Sequence, residues 1–280
     1  MRDFDEFNIT DAVIAQMEGT EDPRLKRVMT SLVKHLHHFV RDIDLTMDEW
    51  NYAIEFLTRT GHMCSDKRQE FILLSDTLGV SMLVDAINHR VPAGATETTV
   101  LGPFYVEAAP ELEAGADVSG GVDGEPLSVD CTVTTSAGAP IAGATVDVWQ
   151  ADDDGYYDVQ KPELDNANLR ARFRTDANGR FYFRTIVPRY YPIPDDGPVG
   201  DMLKATGRHP NRPAHIHFMI AAEGYETLIT HLFAADSPYL DSDAVFGVKN
   251  SLIVEFTADA KEPGRRLEYQ FGLKANRESA

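Results

Sequence analysis

His215 and His217 stand one residue apart in Arg212-Pro213-Ala214-His215-Ile216-His217-Phe218-Met219-Ile220, a stretch whose composition is that of a strand. Side chains alternate across a strand, so the two imidazoles share a face about 7 Å apart and can converge on one metal ion. Ile216 and Phe218 then face the opposite way, into a core. Two tyrosine pairs sit at strand ends, in Gly155-Tyr156-Tyr157-Asp158 and Val187-Pro188-Arg189-Tyr190-Tyr191-Pro192. A phenolate is a hard oxygen donor suited to a hard trivalent ion, and its free pKa near 10 means it ionises at neutral pH only with such help. Taken singly, these residues also fit plainer roles. The histidines fit ordinary strand residues, and the tyrosines fit turn residues that pack and donate a hydrogen bond. His35 and His38, an i, i+3 pair, read as a solvated helix face.

Two different regions must position these groups. Up to residue 92 the pattern is helical. Asp22-Pro23 reads as an N-cap with Pro at the first helical position, followed by Leu25, Val28, Met29, Leu32, Leu36, Phe39, Val40 and Ile43 at three- and four-residue spacing. Thr46-Met47-Asp48-Glu49 has the form of a capping box opening a third helix with Trp50, Ala53, Ile54 and Leu57. A shorter first helix spans about Thr10 to Glu18. A further helical stretch spans about Asp66 to Asn88, bent near Gly79 and ended by Pro92. After a loop rich in Gly, Ala and Pro, short period-two runs predict strands at Leu127–Val133, Ala144–Trp149, Phe181–Val187, Ala214–Ala221, Thr227–Phe233, Ser251–Phe256 and Glu268–Phe271. The expectation is an α+β chain: a helical region over 1–92, then a β-sandwich domain over 93–280. An amphipathic helical layer of this size must cover apolar surface, its own sandwich or a partner chain.

The chain has 280 residues, with 26 Lys plus Arg against 45 Asp plus Glu, a net charge of −19. That balance argues against a nucleic-acid partner and against an anionic membrane surface. No apolar run is long enough to span a bilayer, and the acidic N-terminus lacks a signal-peptide core. Cys64 and Cys131 have no CxxC partner and read as packing residues in a reducing, cytoplasmic setting.

In order and combination, Gly155-x-Tyr157, Val187-Pro188-x-x-Tyr191 and Arg212-Pro213-Ala214-His215-x-His217 resemble the intradiol ring-cleavage dioxygenases. Leu101-Gly102-Pro103-Phe104-Tyr105 resembles that family's loop ahead of the sandwich, and the helical region resembles the linker of its catechol-type branch. Within the family, Ile72 to Ser81 and Tyr191 to Gly200 are most similar to the hydroxyquinol-cleaving members. The resemblance implies one non-haem Fe(III) per subunit, held by Tyr157, Tyr191, His215 and His217. Two phenolates and one hydroxide neutralise a 3+ ion, and a diol arriving as a dianion can replace one phenolate and the hydroxide.

The implied reaction opens hydroxyquinol (benzene-1,2,4-triol) with O2 between its adjacent hydroxyl-bearing carbons, giving 3-hydroxy-cis,cis-muconate, which tautomerises to maleylacetate. Tyr191 would leave the metal and help take up a substrate proton. Arg212 would stabilise developing negative charge, and His231 stands where catechol enzymes usually carry Gln. Leu73, Asp76, Val100, Leu101, Gly102, Pro103, Phe104, Ile193 and Pro194, with Arg212, would line the substrate pocket, Asp76 meeting the third hydroxyl. The same resemblance implies a homodimer through the N-terminal helices, an interface that can enclose a phospholipid. The alternative within the family is a catechol or chlorocatechol 1,2-dioxygenase. Outside it stand a zinc hydrolase, with His209 or His231 as third ligand, and a non-catalytic β-sandwich binding module. The module leaves the order of Tyr157, Tyr191, Arg212, His215 and His217 unexplained.

Overall fold

A computed structural model describes residues 2–65, 68–107, 109–161, 168–260 and 263–276. The chain divides into two compact units, Met1–Arg59 and Thr60–Ala280.

The first unit contains α1 (Ile9–Gln16), α2 (Pro23–Asp42) and most of α3 (Met47–His62). The helix starts follow their capping chemistry. Asp22 Oδ1 accepts from the backbone N–H groups of Arg24 at 2.8 Å and Leu25 at 3.2 Å. Thr46 and Glu49 bond reciprocally, at 2.9 Å from Thr46 N to Glu49 Oε2 and 3.3 Å from Glu49 N to Thr46 Oγ1. The apolar stripe of α2 is present but uncovered: Leu25, Val28, Leu32, Leu36, Phe39, Val40 and Ile43 are all exposed, as are Trp50, Ile54 and Leu57 on α3.

In the second unit the expected helical stretch becomes α4 (Glu70–Thr77) and α5 (Val80–Asn88), separated at Gly79, whose φ of 73° only glycine adopts freely. The start expected at Asp66 lies outside the described residues. The strands are β1 (Pro126–Thr135), β2 (Thr145–Gln150), β3 (Arg170–Arg174), β4 (Arg180–Ile186), β5 (Tyr191–Pro192), β6 (Asn211–Arg212), β7 (His215–Ala221), β8 (Leu228–Ala234), β9 (Ile253–Val254), β10 (Thr257–Ala258) and β11 (Arg265–Leu273). They form a four-stranded sheet β10-β11-β1-β4, a five-stranded sheet β3-β2-β7-β8-β9 and the short pair β5-β6. Inward residues of both large sheets share one apolar core. Phe218 of β7 meets Phe271 of β11 with ring centroids 4.8 Å apart and Phe181 of β4 at 6.3 Å. The period-two reading of β1 holds: Leu127, Val129, Cys131 and Val133 are buried while Ser128, Asp130 and Thr132 are half-buried. The fold is α+β, and Cys64 and Cys131 are free.

The short β5, β6 and β10 were not expected, nor were two longer elements, β3 and α6. β3 reads Arg-Ala-Arg-Phe-Arg, where long cationic side chains mask the alternation of Ala171 and Phe173 into the core. α6 (Pro198–Ala205) follows a Pro- and Gly-rich run, yet carries Pro at its first turn, a start signal in its own right. Its N-terminus is held by the buried Glu70 of α4, which accepts from Val199 N at 3.2 Å and pairs with Arg68 at 2.8 Å. The stretch Ser251–Phe256 becomes a turn of 3₁₀ helix over Asn250–Leu252 and the two-residue β9.

Candidate active site

Sheet register assembles most of the site. In β7, Trp149 of β2 lies opposite His217 on one side and His231 of β8 lies opposite it on the other. The three side chains therefore share one face, with Trp149 stacked on His217 at 4.6 Å and the His217 and His231 rings 4.1 Å apart. The β5-β6 pair sets Tyr191 opposite Arg212. Tyr157 arrives from the loop after β2. There Asp152 Oδ1 accepts from Asp154 N and Tyr156 N, each at 2.9 Å, and Gln160 Oε1 accepts from Tyr157 N at 2.9 Å. Gly155 makes this loop possible: its φ is 85°, and a Cβ there would stand 3.0 Å from the Tyr191 Cβ.

The four expected donors converge. Tyr157 Oη lies 2.9 Å from His217 Nε2 and 3.3 Å from Tyr191 Oη, and the Nε2 atoms of His215 and His217 are 3.1 Å apart. All four residues are buried. His215 Nδ1 is 2.7 Å from the Pro213 carbonyl, which can only accept, so the proton sits on Nδ1 and Nε2 offers a lone pair. His217 Nδ1 is buried and has no hydrogen-bond partner among the described residues.

Burial and neighbouring charges bias the histidines and Tyr157 towards their neutral forms. Burial, reinforced by the Arg212 charge, lowers His215 to about 3, and burial with the neighbouring His and Arg groups holds His217 and His231 well below the usual imidazole range. Burial, then proximity to Tyr191, pushes Tyr157 well above the ordinary phenol value. Two imidazole nitrogens and two phenol oxygens crowded at hydrogen-bond distance are, by their chemistry, a donor set suited to a cation.

Arg212 is buried beside them. Its guanidinium forms an ion pair with Asp243, with Nε at 3.0 Å from Oδ1 and NH2 at 3.2 Å from Oδ2, while NH1 lies 3.4 Å from His215 Nε2. His231 Nδ1 is 3.5 Å from Arg212 NH2, and the donor atoms of His215, His217 and His231 all lie within 4.8 Å of one another. His209 is elsewhere, 2.9 Å from Ser242 Oγ.

A cavity of about 710 Å³ is lined by α4, α5 and the segment Thr99–Pro103. Of the expected pocket residues, Leu73, Asp76, Val100, Leu101, Gly102 and Pro103 line it. Gly102 lies against His217: a Cβ there would be 3.1 Å from its Cε1. Ile193 packs with Leu73 in a separate apolar cluster, and Phe104 stacks on Tyr157 at 4.4 Å. Neither lines the cavity. Pro194 is half-buried in the turn that leads to α6. Sequence reasoning missed Trp149 and Asp243. Trp149 was within reach, because strand alternation puts it on the ligand face once β2 is paired with β7. No spacing signal marks Asp243.

The family model described as "Dioxygenase" matches residues 100–276, and "Catechol dioxygenase N terminus" matches 22–96. The chain belongs to the intradiol ring-cleavage dioxygenases. It is 56% identical over 273 residues to the 6-chlorohydroxyquinol 1,2-dioxygenase of Cupriavidus pinatubonensis, covering 98% of this chain and 99% of that protein. It is 53% identical over 254 residues to the hydroxyquinol 1,2-dioxygenase of a Rhizobium species, covering 90% and 86%. The crystal structure of hydroxyquinol 1,2-dioxygenase from Pseudomonas putida DLL-E4 superimposes with a TM-score of 0.93 at 50% identity, covering 97% of this chain and 99% of that one. Membership excludes the zinc-hydrolase and binding-module readings, although His231 does stand where a third histidine ligand would. No helix among the described residues is long and apolar enough to cross a membrane.

Proposed function

We propose that this intradiol dioxygenase cleaves hydroxyquinol with O2 between C1 and C2, giving 3-hydroxy-cis,cis-muconate and, by tautomerisation, maleylacetate. The observation that carries the substrate assignment is the buried carboxylate of Asp76, lining the cavity beside the ligand cluster. Ser81 hydrogen-bonds this carboxylate, which also faces the cavity, where the third hydroxyl of hydroxyquinol would give it a further polar partner that catechol lacks.

Tyr157, Tyr191, His215 and His217 would hold one non-haem Fe(III) per subunit. The set fits that ion: two imidazoles that burial keeps neutral, and two phenol oxygens, one of which, Tyr157, burial holds well above the ordinary phenol value. Bound there, ferric iron supplies chelation of the diol and withdrawal of electron density from the ring, so that a ring carbon reacts with O2. The protein does the rest. Tyr191, held by its pairing with β6, would take up a diol proton as its phenolate, becoming the neutral phenol. Arg212, paired to Asp243 and shut away from water, presents a fixed positive charge to the anionic diol and to the charge that develops on it. His231, neutral and adjacent to Arg212, is placed to hydrogen-bond the same oxygens. Trp149 and Phe104 cover the outer faces of His217 and Tyr157 and keep water from them.

The test is oxygen uptake by iron-loaded protein with hydroxyquinol and catechol in parallel, corrected for hydroxyquinol autoxidation. The expected result is a clear preference for hydroxyquinol, with a visible absorption from tyrosinate-to-iron charge transfer. Preference for catechol would overturn the substrate assignment. Colourless, iron-loaded protein would overturn the tyrosine ligands.

A further inference from the structure

Arg212 has one guanidinium and two sets of neighbours. One edge, Nε and NH2, is bound by both oxygens of Asp243. NH1 points at His215, and the remaining direction of NH2 points at His231. Asp243 is fixed in turn. Its Oδ1 accepts from Val245 N at 3.3 Å and its Oδ2 from Gly247 N at 2.9 Å. The loop is built around this pair: a Cβ at Gly247 would stand 2.9 Å from Arg212 NH2, 3.1 Å from Thr99 Oγ1 and 3.2 Å from Asp243 Oδ2. Gly247 has no left-handed backbone to require glycine, so the space taken by the ion pair is what excludes a side chain there.

We propose that Asp243, clamped by the backbone of Val245 and Gly247, is a positioning residue that fixes the plane of the Arg212 guanidinium and so sets where positive charge meets the substrate. A guanidinium has several staggered orientations of similar energy, and a two-point carboxylate fork selects one of them. Removing the fork leaves the charge in place but lets it rotate. Charge stabilisation in a dry site depends on a donor already aimed when charge develops, so rotation lowers turnover more than it weakens binding. Asp243 does not line the substrate cavity, and its hydrogen bonds among the described residues go to Arg212 and the loop backbone; its charge also reaches His215 and Asp76, so the double variant is what isolates the effect through Arg212. The inference rests on the reading above that Arg212 faces the reacting diol.

The experiment compares wild type, Asp243→Asn, Arg212→Gln and the double variant, each loaded with iron. Metal content and the visible band are recorded first, then anaerobic spectroscopic titration with hydroxyquinol, then turnover. If wild type does not consume oxygen with hydroxyquinol, the functional reading fails before the inference is reached. Given an active wild type, Asp243→Asn is expected to keep its iron and its visible band and to bind hydroxyquinol within a few fold. Its kcat should fall by about 10- to 100-fold, the usual scale for an outer partner that orients a site group. In the Arg212→Gln background, Asp243→Asn should cost little more, because the group it orients is gone. Wild-type kcat in Asp243→Asn, or losses that multiply in the double variant, would overturn the proposal. Should Asp243→Asn not fold, Gly247→Ala decides, since it keeps both charges and displaces Arg212: lowered kcat with retained iron supports the role, and unchanged kcat refutes it.

Discussion

At the scale of single residues, the donors were legible because their types are chemically unusual and their order specific. H-x-H on a strand fixes two imidazoles on one face by geometry alone, and the tyrosines lie beside glycine or proline turns that aim them inward. The pocket was legible in part. Asp76 is buried by α4 and faces the cavity, and burial raises its pKa against the opposing pull of Ser81 and Arg212. Asp76→Asn is expected to lower kcat/KM for hydroxyquinol about tenfold or more while changing catechol turnover little, since only the triol offers the extra hydroxyl. Equal losses on both, in a steady-state comparison, would show that Asp76 serves the fold instead. Gly102 is a second point of control. Its φ is 79° and its missing side chain leaves room for His217. Gly102→Ala should cost about 1–3 kcal/mol of stability from the backbone strain and displace the imidazole as well. Denaturant titration and iron content measure these two effects separately. Asp243 was invisible in the sequence because its partner is 31 residues away and the contact depends on a loop with no periodic pattern.

At the scale of elements, amphipathic period and capping chemistry located the helices, and alternation located most strands. The exceptions have different causes: a Pro- and Gly-rich run hides α6, and charged side chains hide β3. In β3, and on the outer face of the four-stranded sheet, arginines and carboxylates stand where a simple polar residue would have made the pattern plain. On that face Asp130 of β1 is gripped from both sides, by Arg180 of β4 with Nε at 2.7 Å from Oδ1 and by Arg266 of β11 with NH2 at 2.6 Å from Oδ2. The bond from Arg180, then the two positive charges, hold the Asp130 carboxyl below its ordinary value despite partial burial. A carboxyl with a depressed folded-state pKa binds protons less readily folded than unfolded. Its contribution is therefore complete above the unfolded value of about 4 and lost as pH falls through the lower folded value. Asp130→Asn should cost about 1 kcal/mol at pH 7 once screening by solvent is counted. The difference should shrink towards zero as the pH drops below about 4. Urea titrations of both proteins from pH 7 to pH 3 test this, and a gap that does not change with pH would assign the loss to packing.

At the scale of the whole molecule, the apolar stripe of α2 and its neighbours on α3 are the main unspent resource of the chain. Six large apolar side chains on α2, and Ile43 just after it, are each between 42% and 53% exposed, a stripe of the kind that marks an interaction surface. A second copy is the occupant that needs no other molecule, and a two-fold axis through α2 would set like against like. Charge opposes that assembly, because each copy brings a net −19. Apolar burial must overcome this repulsion, and salt screens it. The homodimer expected of this chain should therefore tighten as salt is raised from about 0.02 to 0.5 M, the reverse of an interface held by ion pairs. Burying a leucine is worth about 1.5–3 kcal/mol, and in a symmetric interface each substitution acts twice. Leu36→Glu should therefore raise the dimer dissociation constant at least 100-fold, yielding monomers at micromolar concentration with the ligand cluster of the second unit unchanged. Sedimentation velocity at two salt concentrations reads both effects in one set of runs. A wild-type monomer at micromolar concentration would overturn the assembly, and a dimer indifferent to Leu36→Glu would place the interface on some other surface.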